Sequence, residues 1–330
     1  MDKLLENISK YRTALMGVAI LGVMVAHCKG DWPVSVFSKA VGLVCYSVFT
    51  GGFLFLSGFG LYHSMHNDDH VANFYKKRVK RLMVPWLCVA SPYFIYTDLV
   101  LSSSLRDFLM HISTMAFWVD GNYSGMWYIS VILMLYLIYP LWHKITYIAD
   151  NRARWSVLVT VGLLLVTEWG VTVFTPNFHE RIVLASSISI FFIGSFVSYL
   201  NSLKKPQVMA NLSSSGGVIL MYIFVDVFIP EIRGHYFILY NIASIFLWAL
   251  LFRVMNNVNI GRCVLDVLNK FGRYTLELYM LHLFVYFATK ASVTHPIPDI
   301  LLFPISVAIA IVLCIPVHKI VDRLNKKLAN

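Results

Sequence analysis

Charge is what this sequence has least of. Asp, Glu, Lys and Arg make up only 13% of the 330 residues, against 58% hydrophobic. Soluble domains carry about 25% charged residues, and a chain with so few could not cover a water-facing surface. A soluble enzyme is excluded, and so is intrinsic disorder, which needs a polar, charge-rich chain. Cysteine is sparse and unpatterned: Cys28, Cys45, Cys88, Cys263 and Cys314 show no CxxC spacing. Neither a metal centre nor a disulfide framework is implied. The apolar runs lack period-2 alternation, so an outer-membrane barrel is excluded as well. There is no internal repeat, no low-complexity tract and no polar stretch long enough to bury a core of its own. The longest are 64–81, 102–125 and 256–273. What remains is an all-α fold: a polytopic membrane helix bundle forming one domain over 1–330, with no soluble domain appended.

A membrane helix needs about 20 mainly apolar residues. That measure predicts ten spans, at 12–30, 40–63, 82–101, 126–144, 155–174, 182–201, 214–231, 235–255, 274–292 and 299–319. The first is read as a retained span rather than a cleaved signal, because nine further runs follow it. Cytoplasmic loops carry an excess of Lys and Arg. With both termini in the cytoplasm, 21 of the 27 basic residues fall inside and six outside. A net charge of +10, which in a soluble protein would suggest nucleic acid, is thus explained by topology.

Ionisable groups inside spans are costly and tend to face a cavity or one another. His27 lies on span 1, roughly 10 Å beyond its middle toward the outer face at 1.5 Å per residue, where a neutral imidazole can act as a general base. The plain alternative is an imidazole bonded to a backbone carbonyl. Thr275, Tyr279 and His282 are spaced i, i+4, i+7 on span 9, which puts them on one helical face. They either line a wet interior or simply tie helices together. Glu277 points away from His282 and needs another partner. Glu168 and Asp226 are further buried acids.

Between 76 and 81 stand five cations in six residues, Lys76, Lys77, Arg78, Lys80 and Arg81. A topogenic, lipid-binding stretch would look like this. Arg78 and Arg81, however, share one face leading into span 3, and the planar guanidinium fork suits phosphate. Span 2 holds Gly51-Gly52-Phe53-Leu54-Phe55-Leu56-Ser57-Gly58-Phe59-Gly60, small residues that let helices approach closely. The outer stretch from Asp120 through Tyr123 to Trp127 and Tyr128 is either an aromatic belt or a platform for a sugar.

Taken in order, these residues resemble the acyltransferase family 3 of integral membrane acyltransferases. The resemblance runs from Gly17-Val18-Ala19-Ile20-Leu21 and His27 through Phe55-Leu56-Ser57-Gly58-Phe59 to Phe74-Tyr75, Arg78, Arg81 and Pro85. It continues with Trp127-Tyr128, Tyr136 and Pro140 and ends on Gly272, Thr275, Tyr279 and His282. One position departs. The family commonly has an arginine eleven residues before the span 1 histidine, and Met16 stands there; Arg12, one turn lower on the same face, is the substitute.

The resemblance implies transfer of an acyl group, usually acetyl, from cytosolic acyl-CoA to a hydroxyl of a cell-envelope glycan or glycolipid, in the inner membrane of a bacterium. His27, Tyr128, Tyr279 and His282 are the expected catalytic residues. Arg12, Ser57, Arg78 and Arg81 are expected to hold acetyl-CoA, and Asp120, Tyr123, Trp127 and Glu168 the acceptor. No metal is expected. Direct attack and an acyl-enzyme both remain open, and a homo-oligomer is compatible with the sequence. Without an appended domain, the chain is expected to complete the transfer itself. The competing class is a transporter or flippase with no acyl chemistry.

Overall fold

A computed structural model describes residues 2–28, 51–68, 70–120, 127–147, 162, 178–203, 235–292 and 299–328. Every regular element among them is helical. In chain order these are α1 (Asp2–Cys28), α2 (Gly51–His66) and α3 (Val71–Phe94), which runs on into a π-helical segment (Ile95–Leu101). Then come α4 (Leu105–Ile112), α5 (Ala116–Val119), α6 (Trp127–Tyr147), α7 (Phe178–Ser202), α8 (His235–Met255), α9 (Asn259–Arg273), α10 (Thr275–Ser292) and α11 (Asp299–Lys327). Eight of the ten expected spans coincide with a helix. Spans 155–174 and 214–231, with Glu168 and Asp226, lie outside the described residues, as does Tyr123. Among the described residues, four stretches are both long and apolar enough to cross a membrane: Leu5–His27, Val71–Leu101, Trp127–Tyr147 and Leu301–Lys327.

Helix α1 is the hub, packing against α2, α7, α8, α9, α10 and α11. Two pairs of glycines set how closely the helices cross. A Cβ on Gly58 of α2 would lie 1.9 Å from the Phe191 carbonyl oxygen of α7, and one on Gly194 of α7 would lie 2.1 Å from the Phe55 oxygen of α2. The α1–α9 crossing repeats this arrangement, with Gly17 facing the Leu268 oxygen at 2.0 Å and Gly272 facing the Thr13 oxygen at 1.9 Å. Only hydrogen fits at such contacts, which is how small residues let membrane helices reach backbone contact. The "inner loop" 256–273 is therefore mostly a helix docked on α1, which its length and charge did not reveal.

The basic stretch is also helical from Val71 onward. Just ahead of α3, the Asp68 carboxylate accepts hydrogen bonds from the His70 amide and Asn73 and pairs with Lys77 at 2.8 Å. The Lys77 hydrogen bond, supported by the others, holds the Asp68 carboxyl below its usual pKa. At the far end, the proline at 92 interrupts the regular bonding, and the π segment begins three residues later. There Asp98 is buried and bonds the His111 ring at 2.8 Å. This ties α4 back onto α3.

Candidate functional site

Five cations stand in the 76–81 stretch, and contacts separate their roles. Lys77 is held by Asp68, and Lys80 reaches the Leu328 carbonyl near the C-terminus at 2.7 Å. Arg78 turns inward instead. Its Nη2 donates to Ser64 Oγ on α2 at 2.7 Å, it shares a hydrogen bond with Tyr136, and it lies over the rings of Phe74 and Tyr136 at 5.5 and 5.9 Å. Its Nε is buried with no hydrogen-bond partner. Arg81 is exposed.

Arg12 joins them from α1. Its Nε donates to the Leu56 carbonyl at 3.0 Å, and its guanidinium lies against Gly60, where a Cβ would come within 2.4 Å of Nη2. Arg81, Arg78, Tyr136 and Tyr128 are its electrostatic neighbours. The neighbouring position Met16 is buried among apolar side chains. Arg12 thus supplies a guanidinium from one turn below the position where the family has one. Among the described residues, none of these three arginines pairs with a carboxylate. Gathering like charges in a partly buried place costs several kcal/mol per ion unless an anion compensates.

From Arg12 a line of polar side chains leads along the bundle. Tyr128 shares a hydrogen bond with Ser57 and packs edge-on against Tyr279, ring centroids 5.3 Å apart. Tyr279 lies 6.0 Å from the His282 ring. His282 is fully buried, and its Nε2 lies 3.0 Å from His27 Nδ1 with the rings stacked 5.2 Å apart. His27 is fifteen residues beyond Arg12, so about 22 Å along α1. The predicted catalytic set (His27, Tyr128, Tyr279 and His282) is one contiguous cluster drawn from α1, α6 and α10.

The hydrogen bonds fix the tautomers of this pair. His282 Nδ1 lies 2.8 Å from the Leu278 carbonyl oxygen, which can only accept, so Nδ1 carries the proton. In the neutral ring Nε2 is then a bare acceptor, and His27 Nδ1–H donates to it. The remaining nitrogen, His27 Nε2, keeps its lone pair. This chain of bonds leaves His27 Nε2 able to accept a proton and ties the orientation of its ring to His282.

Other predicted residues lie elsewhere. Asp120 is exposed and pairs with Arg106 at 2.7 Å. Trp127 packs against Tyr128, centroids 6.2 Å apart, and so borders the cluster. Thr275 shares the face of Tyr279 and His282 in spacing, but its hydroxyl turns back to the Gly272 carbonyl at 3.5 Å. Glu277 has the separate partner its direction demanded, His318 on α11 at 2.7 Å. Sequence reasoning missed Ser64, and it missed the inner roles of His63 and His143. For His143 a signal existed, since Tyr136, Tyr139 and His143 follow one another at i, i+3, i+7 on α6.

The helical fold and the apolar spans are those of an integral membrane protein, with a buried histidine–tyrosine cluster inside it. The model of the acyltransferase 3 family, described as an acyltransferase domain, matches residues 13–319. The chain belongs to this family, and the family decides for acyl transfer over transport. No curated protein and no solved structure matches it.

Proposed function

We propose that this protein is an O-acyltransferase moving an acetyl or related acyl group from cytosolic acyl-CoA to a hydroxyl of a cell-envelope glycan or glycolipid. In this reading the arginine end of the bundle faces the cytoplasm of a bacterial inner membrane. The observation that carries it is the two-ended polar track: at one end arginines with no carboxylate partner among the described residues, and at the other a tautomer-fixed histidine pair about 22 Å from Arg12 along α1. Such a track suits a donor with phosphates at one end and a thioester at the end of a long arm.

Arg12, Arg78 and Arg81 bind the phosphates, with Ser57 near the arm. The acceptor hydroxyl gives its proton to His27 Nε2 as its oxygen attacks the thioester carbonyl carbon. The tetrahedral oxyanion takes hydrogen bonds from Tyr128 and Tyr279. When it collapses, the carbon–sulfur bond breaks and the CoA sulfur leaves with the proton held on His27. Trp127, bordering the cluster, is assigned to stacking an acceptor sugar, with Asp120 on its approach.

The test of the donor end is binding of acetyl-CoA to the detergent-purified protein. Charge-assisted hydrogen bonds contribute about 1.5–3 kcal/mol each. Arg78→Ala and Arg12→Ala should therefore each weaken binding by roughly 10- to 100-fold, and Arg78→Ala/Arg81→Ala by more than either of its single changes. Well-folded protein that binds no acyl-CoA at all would sink the reading.

The catalytic end has a separate test. His282→Phe removes the acceptor for His27 Nδ1–H, so the base is left free to adopt the wrong tautomer. Acyl transfer should fall roughly 100-fold with acetyl-CoA binding unchanged. His282→Gln keeps an acceptor oxygen and should recover most of the rate. Equal losses in both variants would remove His282 from its positioning role.

A further inference from the structure

One side of the arginine cluster is walled by side chains that no step above uses. Helices α2, α6 and α7 meet there. The Tyr62 ring stacks on His66 at 5.3 Å and lies 5.6 Å from His63, 5.8 Å from His143 and 5.1 Å from Tyr147. His63 and His143 are only half-buried as residues, yet Nε2 of each is buried without a hydrogen-bond partner. On α7 the hydroxyl of Ser198, a fully buried residue, is likewise unpartnered. Its neighbours one turn either way are engaged, Ser195 with Tyr139 and Tyr147, and Ser202 with Tyr62.

A buried polar atom left unpaired costs about 1–3 kcal/mol, and native structures hold few of them. Several in one place ask for a ligand. Among the described residues no three His, Cys, Asp or Glu converge closely enough to hold a metal ion, so the histidines do not form a metal centre. The wall instead offers the partly exposed rings of His63, His66 and His143, backed by the buried Tyr62, and ring nitrogens that either donate or accept. It adjoins the arginine cluster directly, since Ser64, next to His63, accepts from Arg78, the charge of Arg12 acts on His63, and that of Arg78 acts on Tyr139, one turn before His143. Flat faces plus exchangeable nitrogens beside three arginines match a heteroaromatic base joined to phosphates.

We propose that this wall of Tyr62, His63, His66 and His143 seats the purine base of the donor, so that the donor is recognised as a nucleotide-bearing thioester. The inference rests on the acyl-CoA reading and sharpens it. A carrier protein presents the same phosphopantetheine arm with no base. Its phosphate would satisfy the arginines and leave His63 and His143 unpaired.

Two probes separate the halves of the donor: adenosine 3′,5′-bisphosphate, which has the base and no arm, and acetyl-phosphopantetheine, which has the arm and no base. The bisphosphate should bind the purified protein and compete with acetyl-CoA. His63→Ala and His143→Ala should each weaken both nucleotide ligands about tenfold while leaving acetyl-phosphopantetheine unchanged, and His143→Gln should fall between. Should an alanine variant fail to fold, the wild type decides through a control that has the phosphates and no base: adenosine 3′,5′-bisphosphate should compete about tenfold better than ribose 3,5-bisphosphate, and equal competition by the two overturns the seat. Acetyl-CoA binding that the bisphosphate does not contest, or that is indifferent to both histidines, overturns the base seat and leaves the acyl-CoA reading standing. Absence of any acetyl-CoA binding overturns that reading and the seat together.

Discussion

Transfer of the acyl group is expected to stop in His27→Ala while acetyl-CoA binding stays within about twofold of wild type. A positioned general base contributes about 10²–10⁴-fold, and here the base has no evident substitute. The neighbouring imidazole is a poor substitute: His282 is fully buried, and its Nε2, though freed by the change, stays behind the space the His27 ring has vacated. Arg12 lies about 22 Å away along α1, and Arg78 and Arg81 stand on another helix, α3, so removing the imidazole leaves their geometry alone. The measurement is release of CoA thiol from acetyl-CoA in the presence of envelope glycan, alongside donor binding by the same preparation. A rate within tenfold of wild type would falsify His27 as the base. Loss of both rate and binding would point to a structural role for this residue instead.

Much of the site was legible because helical spacing is strict. The i, i+3 relation of Tyr279 and His282 and the run from Arg12 to His27 along α1 follow from 3.6 residues per turn. The partner of each residue was not legible. Nothing in local sequence tells that His27 meets a ring 255 positions later, or that Glu277 meets His318. Pairings between helices depend on crossing angle and register, which are set by small residues far from the chemistry. The basic stretch shows the same limit from the other side. Composition gave five equivalent cations, and only the packing of α2 against α3 sends Arg78 inward while Asp68 draws Lys77 away. The helix at 259–273 was missed because its apolar residues serve a docking face on α1 rather than a span.

Three glycines of one helix should respond to alanine in three different ways, and the contrast tests the packing and the donor site together. At Gly52 a new Cβ would meet, among the described residues, the Ala19 Cβ at 4.0 Å, an ordinary contact, so Gly52→Ala should leave both folding and activity near wild type. At Gly58 it would lie 1.9 Å from a backbone oxygen of α7, and backbone cannot rotate aside as a side chain can. The two helices must separate along the crossing that Gly58 and Gly194 make. Overpacking typically costs about 1–3 kcal/mol, and a backbone clash belongs at or above the top of that range. Gly58→Ala should sharply reduce the yield of folded protein and its Tm in detergent. At Gly60 the obstacle is the guanidinium of Arg12, the mobile end of a long side chain. Gly60→Ala should therefore fold, and should lose acetyl-CoA affinity by roughly tenfold as Arg12 is displaced from the Leu56 carbonyl. Normal folding of Gly58→Ala would mean that α2 and α7 do not cross at these glycines. Full donor affinity in Gly60→Ala would mean that Arg12 takes no part in binding it.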